Sequence, residues 1–85
     1  MLRYISLFFY LEGKEHTVQI QSTVTGRYYT PAKCVYILNQ KQTALYMKNG
    51  LDLLDIYVDG DKLVYVFDKK SSEPLYAKWK NYELA

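Results

Sequence analysis

One cysteine, one histidine, two prolines and four glycines in 85 residues leave whole classes of explanation without material. Cys34 alone cannot close an internal disulfide, so nothing calls for an oxidising compartment, and the cytoplasm is the expected location. His16 and Cys34 together cannot complete a zinc shell of the usual kind. No Pro/Gly-rich linker, low-complexity tract or internal repeat divides the chain, so residues 1–85 read as a single domain. A domain of this size buries only about 60 to 65% of its unfolded surface. Long apolar runs are also missing. The opening stretch from Leu2 to Leu11 carries Arg3 and Ser6, is about half the length needed to span a bilayer, and has no small-residue cleavage site. Neither an anchor nor a signal peptide is expected, and no membrane partner. Eleven basic residues against nine acidic ones leave a net charge of +2, too balanced to attract a polyanion by bulk field.

Aromatic rings, by contrast, are abundant: ten tyrosines join Phe8, Phe9, Phe67 and Trp79. A core this small cannot hide them all. The surplus tyrosines are either contact residues, offering apolar area with a hydroxyl for water, or strand residues whose hydroxyls stay wet.

Residues 2–11 and 15–24 have strand character around a Gly13-Lys14 turn, which predicts a hairpin with Leu11 opposite His16, Phe9 opposite Val18 and Leu7 opposite Ile20. Its reverse face presents Tyr4, Phe8 and Tyr10 as an aromatic row, covered either by a helix of the same chain or by a second copy, which makes a homodimer an expectation. After Gly26 and Pro31, residues 34–38 form a short strand. Asn39 then caps a helix, with Gln42 reaching back as in a capping box and Gly50 ending it. Residues 53–58 and 62–67 predict a second hairpin around Asp59-Gly60, with Leu54, Ile56, Val58, Leu63, Tyr65 and Phe67 on the core side and Val64 and Val66 behind. Ser71 or Ser72 caps a terminal helix whose first turn holds Glu73 and Pro74, and Leu75, Trp79 and Tyr82 make its buried stripe. The fold class is therefore α+β, an antiparallel sheet of about five strands, two hairpins plus one short strand, packed with two helices.

Candidate chemistry is thin. His16 has no nucleophile or acid near it in a catalytic pattern, and Cys34, opening an apolar run, reads as a small buried hydrophobe. Asp52, Asp55, Asp59 and Asp61 make an acidic stretch, but an EF-hand loop starting at Asp59 would need a bidentate Glu where Lys70 stands. These acids read instead as a solvated hairpin tip, or as a negative patch for a basic partner. Lys69, Lys70, Lys78 and Lys80, interleaved with Tyr76 and Trp79, are the best candidates for nucleic-acid contact, although no recognised nucleic-acid motif accompanies them.

Asn39, Gln42, Tyr46, Gly50, Asp55-Ile56, Lys62, Val66-Phe67 and Trp79 form a pattern over residues 39–84 that resembles a group of short, uncharacterised phage and prophage proteins of Gram-positive bacteria. The resemblance implies a mobile-element origin, a host cytoplasm and a non-enzymatic small protein, with no catalytic residues or cofactors to carry over. The leading expectation is a protein-binding module that inhibits or modulates a host protein, one involved in defence being a candidate. Its contacts would be Tyr4, Phe8 and Tyr10 as apolar anchors and Asp55, Asp59 and Asp61 as acidic steering residues. The alternative is a nucleic-acid-binding accessory or regulatory protein using Lys69, Lys70, Lys78 and Lys80.

Overall fold

A computed structural model describes residues 18–85; the first expected strand, and with it Tyr4, Phe8, Tyr10 and His16, lies outside the described residues. Among those described, two helices accompany two antiparallel sheets, so the fold is α+β. The strands of the described residues number five and fall in two sheets instead of one: three lie where expected, one is a short remnant of the expected 15–24 strand, and one, Tyr28–Tyr29, is new.

Strand β1 (Ile20–Gln21) pairs with β2 (Tyr28–Tyr29) in the register Ile20↔Tyr29 and Gln21↔Tyr28. The expected strand over 15–24 therefore ends early, in a turn over residues 23–25. Ser22 causes this locally: its hydroxyl accepts the backbone N–H of Val24 at 3.1 Å and of Thr25 at 3.0 Å, diverting two donors from any ladder. Gly26, at φ +77°, then reverses the chain so that Arg27 returns opposite Ser22.

The larger sheet has the order β3-β5-β4, with β3 (Cys34–Ile37), β4 (Asp55–Asp59) and β5 (Lys62–Asp68). Pairing of Asp59 with Lys62 leaves Gly60-Asp61 as the two-residue loop, and Gly60 takes the positive φ (+65°) that such a loop demands. Central β5 is buried on both faces. Val64 and Val66 lie on one side at 6% and 0% exposure, and Phe67 on the other at 0%. The expectation of a single core face along this hairpin needs correction. Val58 and Leu63, a cross-strand pair on the Phe67 side, stand 66% and 40% exposed.

Helix α1 (Gln40–Lys48) explains that asymmetry. It begins where β3 ends and places Tyr46 edge-on to Phe67, with ring centroids 5.3 Å apart, so it covers the Phe67 half of the face and leaves the hairpin end open. Asn39 caps it as expected, its Oδ1 accepting from the Gln42 backbone at 2.9 Å. The Gln42 side chain does not reach back as a capping box would. It donates to the Tyr46 hydroxyl one turn on, at 2.9 Å, because a buried phenol oxygen needs a partner more than a helix end open to water does. Gly50 ends the helix in a Schellman motif, with Leu51 N–H donating to the Tyr46 carbonyl and Gly50 N–H to that of Met47.

Helix α2 (Lys69–Lys80) follows β5 with no loop. Its cap is Asp68, which accepts from the Ser71 backbone at 2.9 Å, and neither Ser71 nor Ser72 takes that part. Ser72 instead donates to the Lys69 carbonyl. The earlier start puts Pro74 beyond the first turn and moves Lys69 and Lys70 into it. The stripe ending on Tyr82 calls for a helix that runs to Tyr82 or beyond; Asn81 is instead the cap residue and Tyr82, at φ +60°, stands 97% exposed.

Candidate partner-binding surfaces

Asp55 opens β4 at 1% exposure, so it is no surface steering residue, and its place in the expected contact set is corrected. The Ser22 hydroxyl donates to its Oδ1 at 2.6 Å, the Tyr29 hydroxyl to its Oδ2 at 2.5 Å, and the Ile56 backbone to Oδ1 at 2.8 Å. A buried carboxylate is tolerated when donors replace its lost water. These bonds, with Thr25 Oγ1 donating to the Leu54 carbonyl at 2.7 Å, fasten the β1–β2 hairpin to the larger sheet. Ser22 and Tyr29 went unmarked in the sequence because a serine and a tyrosine more than twenty residues from an aspartate leave no local signal. Asp52 is exposed and pairs with Arg27 at 3.3 Å, a solvated bridge contributing about 0–1 kcal/mol.

The remaining two acids of the contact set, Asp59 and Asp61, are exposed at the tip of the β4–β5 hairpin. Beside them stands the Val58–Leu63 pair. Behind that pair the cross-strand row Ile37, Tyr65 and Ile56 is half-buried on the same side of the sheet. An aliphatic surface continuous with the sheet interior is suited to an apolar partner; Asp61 lies in the loop at its end, while Asp59, one residue on from Val58, faces the other side of the sheet opposite Lys62. Strand alternation assigns Val58 and Leu63 to the core; among the described residues, the limited reach of α1 is what leaves them open.

A groove of about 350 Å³ lies between the helices, lined by Lys41, Leu45, Trp79, Lys80, Tyr82 and Leu84. Leu45, Trp79 and Leu84 are half-buried, whereas Lys41, Lys80 and Tyr82 are exposed. The four lysines of the nucleic-acid reading do not converge here. At 100° per residue, Lys69 and Lys80 share a side of α2 but stand about 16 Å apart along its axis, and Lys78 points the opposite way. Lys80 also lies over the Tyr76 ring, 5.7 Å from its centroid. Lys41, from α1, is the cation that sequence order could not place beside Trp79.

Cys34 is half-buried, and its Sγ approaches the Thr30 carbonyl at 3.3 Å. Burial, and secondly the Asp68 carboxylate across the ladder, push its thiol up to about 11, which keeps it protonated and weakly nucleophilic. Among the described residues no three His, Cys, Asp or Glu side chains stand together to hold a metal ion, and no helix is long and apolar enough to cross a membrane. Compared with protein-family models, curated proteins and solved structures, the chain matches none, and its function must be read from its own surfaces.

Proposed function

We propose that this chain is a small, non-enzymatic protein-binding module that acts by surface complementarity. The observation that carries the reading is the exposed Val58–Leu63 pair on the sheet half that α1 leaves open, with Asp61 in the hairpin loop beyond it. Full burial of a wholly exposed aliphatic side chain is worth about 1.5–3 kcal/mol; Val58 at 66% and Leu63 at 40% exposure retain part of that for a complex, and the tip carboxylates steer a basic partner on approach. A phage or prophage origin, and with it a host protein that is inhibited or modulated, rests on the resemblance over residues 39–84.

The test is capture from host lysate by the tagged chain at low and high salt, with nuclease, beside the variant Val58→Asp/Leu63→Asp. A stoichiometric protein partner held by the native chain through high salt and lost by the variant is the expected result. Recovery of salt-sensitive nucleic acid alone, or a partner indifferent to the variant, would overturn the reading. Nucleic-acid binding stands as the second reading because Lys41 and Lys80 flank Trp79, a ring on which a base can stack.

A further inference from the structure

Two surfaces of this molecule are complementary to each other in charge and in polarity. The α1–α2 groove offers an apolar floor of Leu45, Trp79 and Leu84 with the ammonium groups of Lys41 and Lys80 beside it. The β4–β5 tip offers the converse, Val58 and Leu63 on one face with Asp61 in the loop at their end, while Asp59 stands on the opposite face across from Lys62, leaving the tip one negative charge in excess. None of these tip residues lines the groove of its own molecule, so the two surfaces can meet only between copies.

The rim of the groove adds an independent observation. Both helices end in a Schellman motif: in α2, Glu83 N–H donates to the Lys78 carbonyl at 2.8 Å and Tyr82 N–H to that of Trp79 at 3.0 Å. In α1 the left-handed position of that motif is Gly50; in α2 it is Tyr82, at φ +60°. A bulky residue there is strained relative to glycine, and at 97% exposure its ring returns nothing to packing within the chain. Strain held at a rim, presenting an aromatic ring to solvent, accords with a contact made outside the chain.

We propose that the groove receives the β4–β5 tip of a second copy, with Val58 and Leu63 seated on Trp79 and its leucine neighbours and Asp59 and Asp61 paired with Lys41 and Lys80. The contact is heterologous, tip to groove. Reciprocal exchange of tips closes a pair, and one-way docking builds a chain. The inference shares its tip with the partner surface of the preceding section but depends also on the groove, which that reading does not use.

The experiment measures weight-average mass by sedimentation against concentration, together with the emission of Trp79, the single tryptophan of the chain. Mass should rise with concentration while Trp79 emission moves to shorter wavelength as the groove fills. Lys41→Glu/Lys80→Glu should weaken association at least tenfold, as should Asp59→Lys/Asp61→Lys, and mixing the two proteins should restore it because each then offers a surface opposite in sign to the other's. All four positions are exposed, and circular dichroism verifies folding; if a reversal unfolds the chain, Lys41→Gln/Lys80→Gln serves in its place. Tyr82→Gly should raise the melting temperature yet weaken association, a split that a merely structural tyrosine would not give. A mass that stays at one chain up to millimolar concentration, association that persists in the lysine variant, or a mixture that fails to recover would each overturn the proposal. So would a short single-stranded oligonucleotide that shifts Trp79 emission while the protein remains a single chain. Partner capture with the lysine variant keeps the two readings apart, since that variant leaves Val58 and Leu63 intact.

Discussion

A carboxylate withdrawn from water must recover its hydrogen bonds from the protein, and Asp55 takes one each from Ser22, Tyr29 and Ile56. Removing a single donor to a buried charge costs about 1.5–3 kcal/mol, a large share of the roughly 4–13 kcal/mol available to a chain of this length. Tyr29→Phe is accordingly expected to lower the unfolding free energy by that amount, read as a lower urea midpoint at an unchanged slope; a loss below about 0.5 kcal/mol would show that the bond is dispensable. Cys34 gives a second expectation at this scale. Its thiol titrates near 11 instead of an ordinary value of 9.0, so its thiolate fraction near neutral pH is about a hundredfold lower, and alkylation by iodoacetamide should be slower by that order in the folded protein than in denaturant. The linkage runs in the same direction. A raised folded pKa means that the stabilisation from the protonated thiol is whole below about pH 9 and is lost as pH climbs towards 11, so Cys34→Ala should lose less stability over that window than the native chain.

At the scale of elements, the legible parts were those fixed by local stereochemistry. Gly60, Asn39 and Gly50 each specify a turn or a helix end from two or three neighbouring residues, and the structure places them there, the hairpin loop falling one residue later than Asp59-Gly60, on Gly60-Asp61. The start of α2 is not legible, because Ser71, Ser72, Glu73 and Pro74 make a convincing N-terminal pattern while Asp68, an equally good cap, is also the last residue of a strand. That earlier start sets Lys69 and Lys70 at the positive end of the helix dipole, where cations are unfavourable. Lys69→Glu and Lys70→Glu should each add about 0.3–1 kcal/mol at low salt, and the gain should fade in 1 M salt; unchanged melting temperatures at low salt would refute it. Face assignment failed for a different reason. Alternation divides β5 correctly into two sets of side chains, but which set is covered depends on how far α1 extends across the sheet, a tertiary property that no window of sequence contains.

At the scale of the molecule, a net charge of +2 hides an uneven arrangement, with Asp59 and Asp61 outnumbering Lys62 at the β4–β5 tip and lysines around the α1–α2 groove. Composition could not reveal it, since Lys41 and Lys80 are brought together only by packing of the helices. The fastening of the β1–β2 hairpin has its own consequence at this level, in the order of assembly. The β4–β5 ribbon joins residues close in sequence and forms with little loop-closure entropy, whereas the bonds from Ser22 and Tyr29 to Asp55 span 33 and 26 residues. Strands of two residues cannot stand alone, so that hairpin docks after its anchor exists and detaches before the ribbon melts. The amide protons of β1 and β2 should therefore exchange with solvent through a partial opening of the molecule, at lower free energy than those of central β5, making the hairpin the first element to leave and the last to arrive.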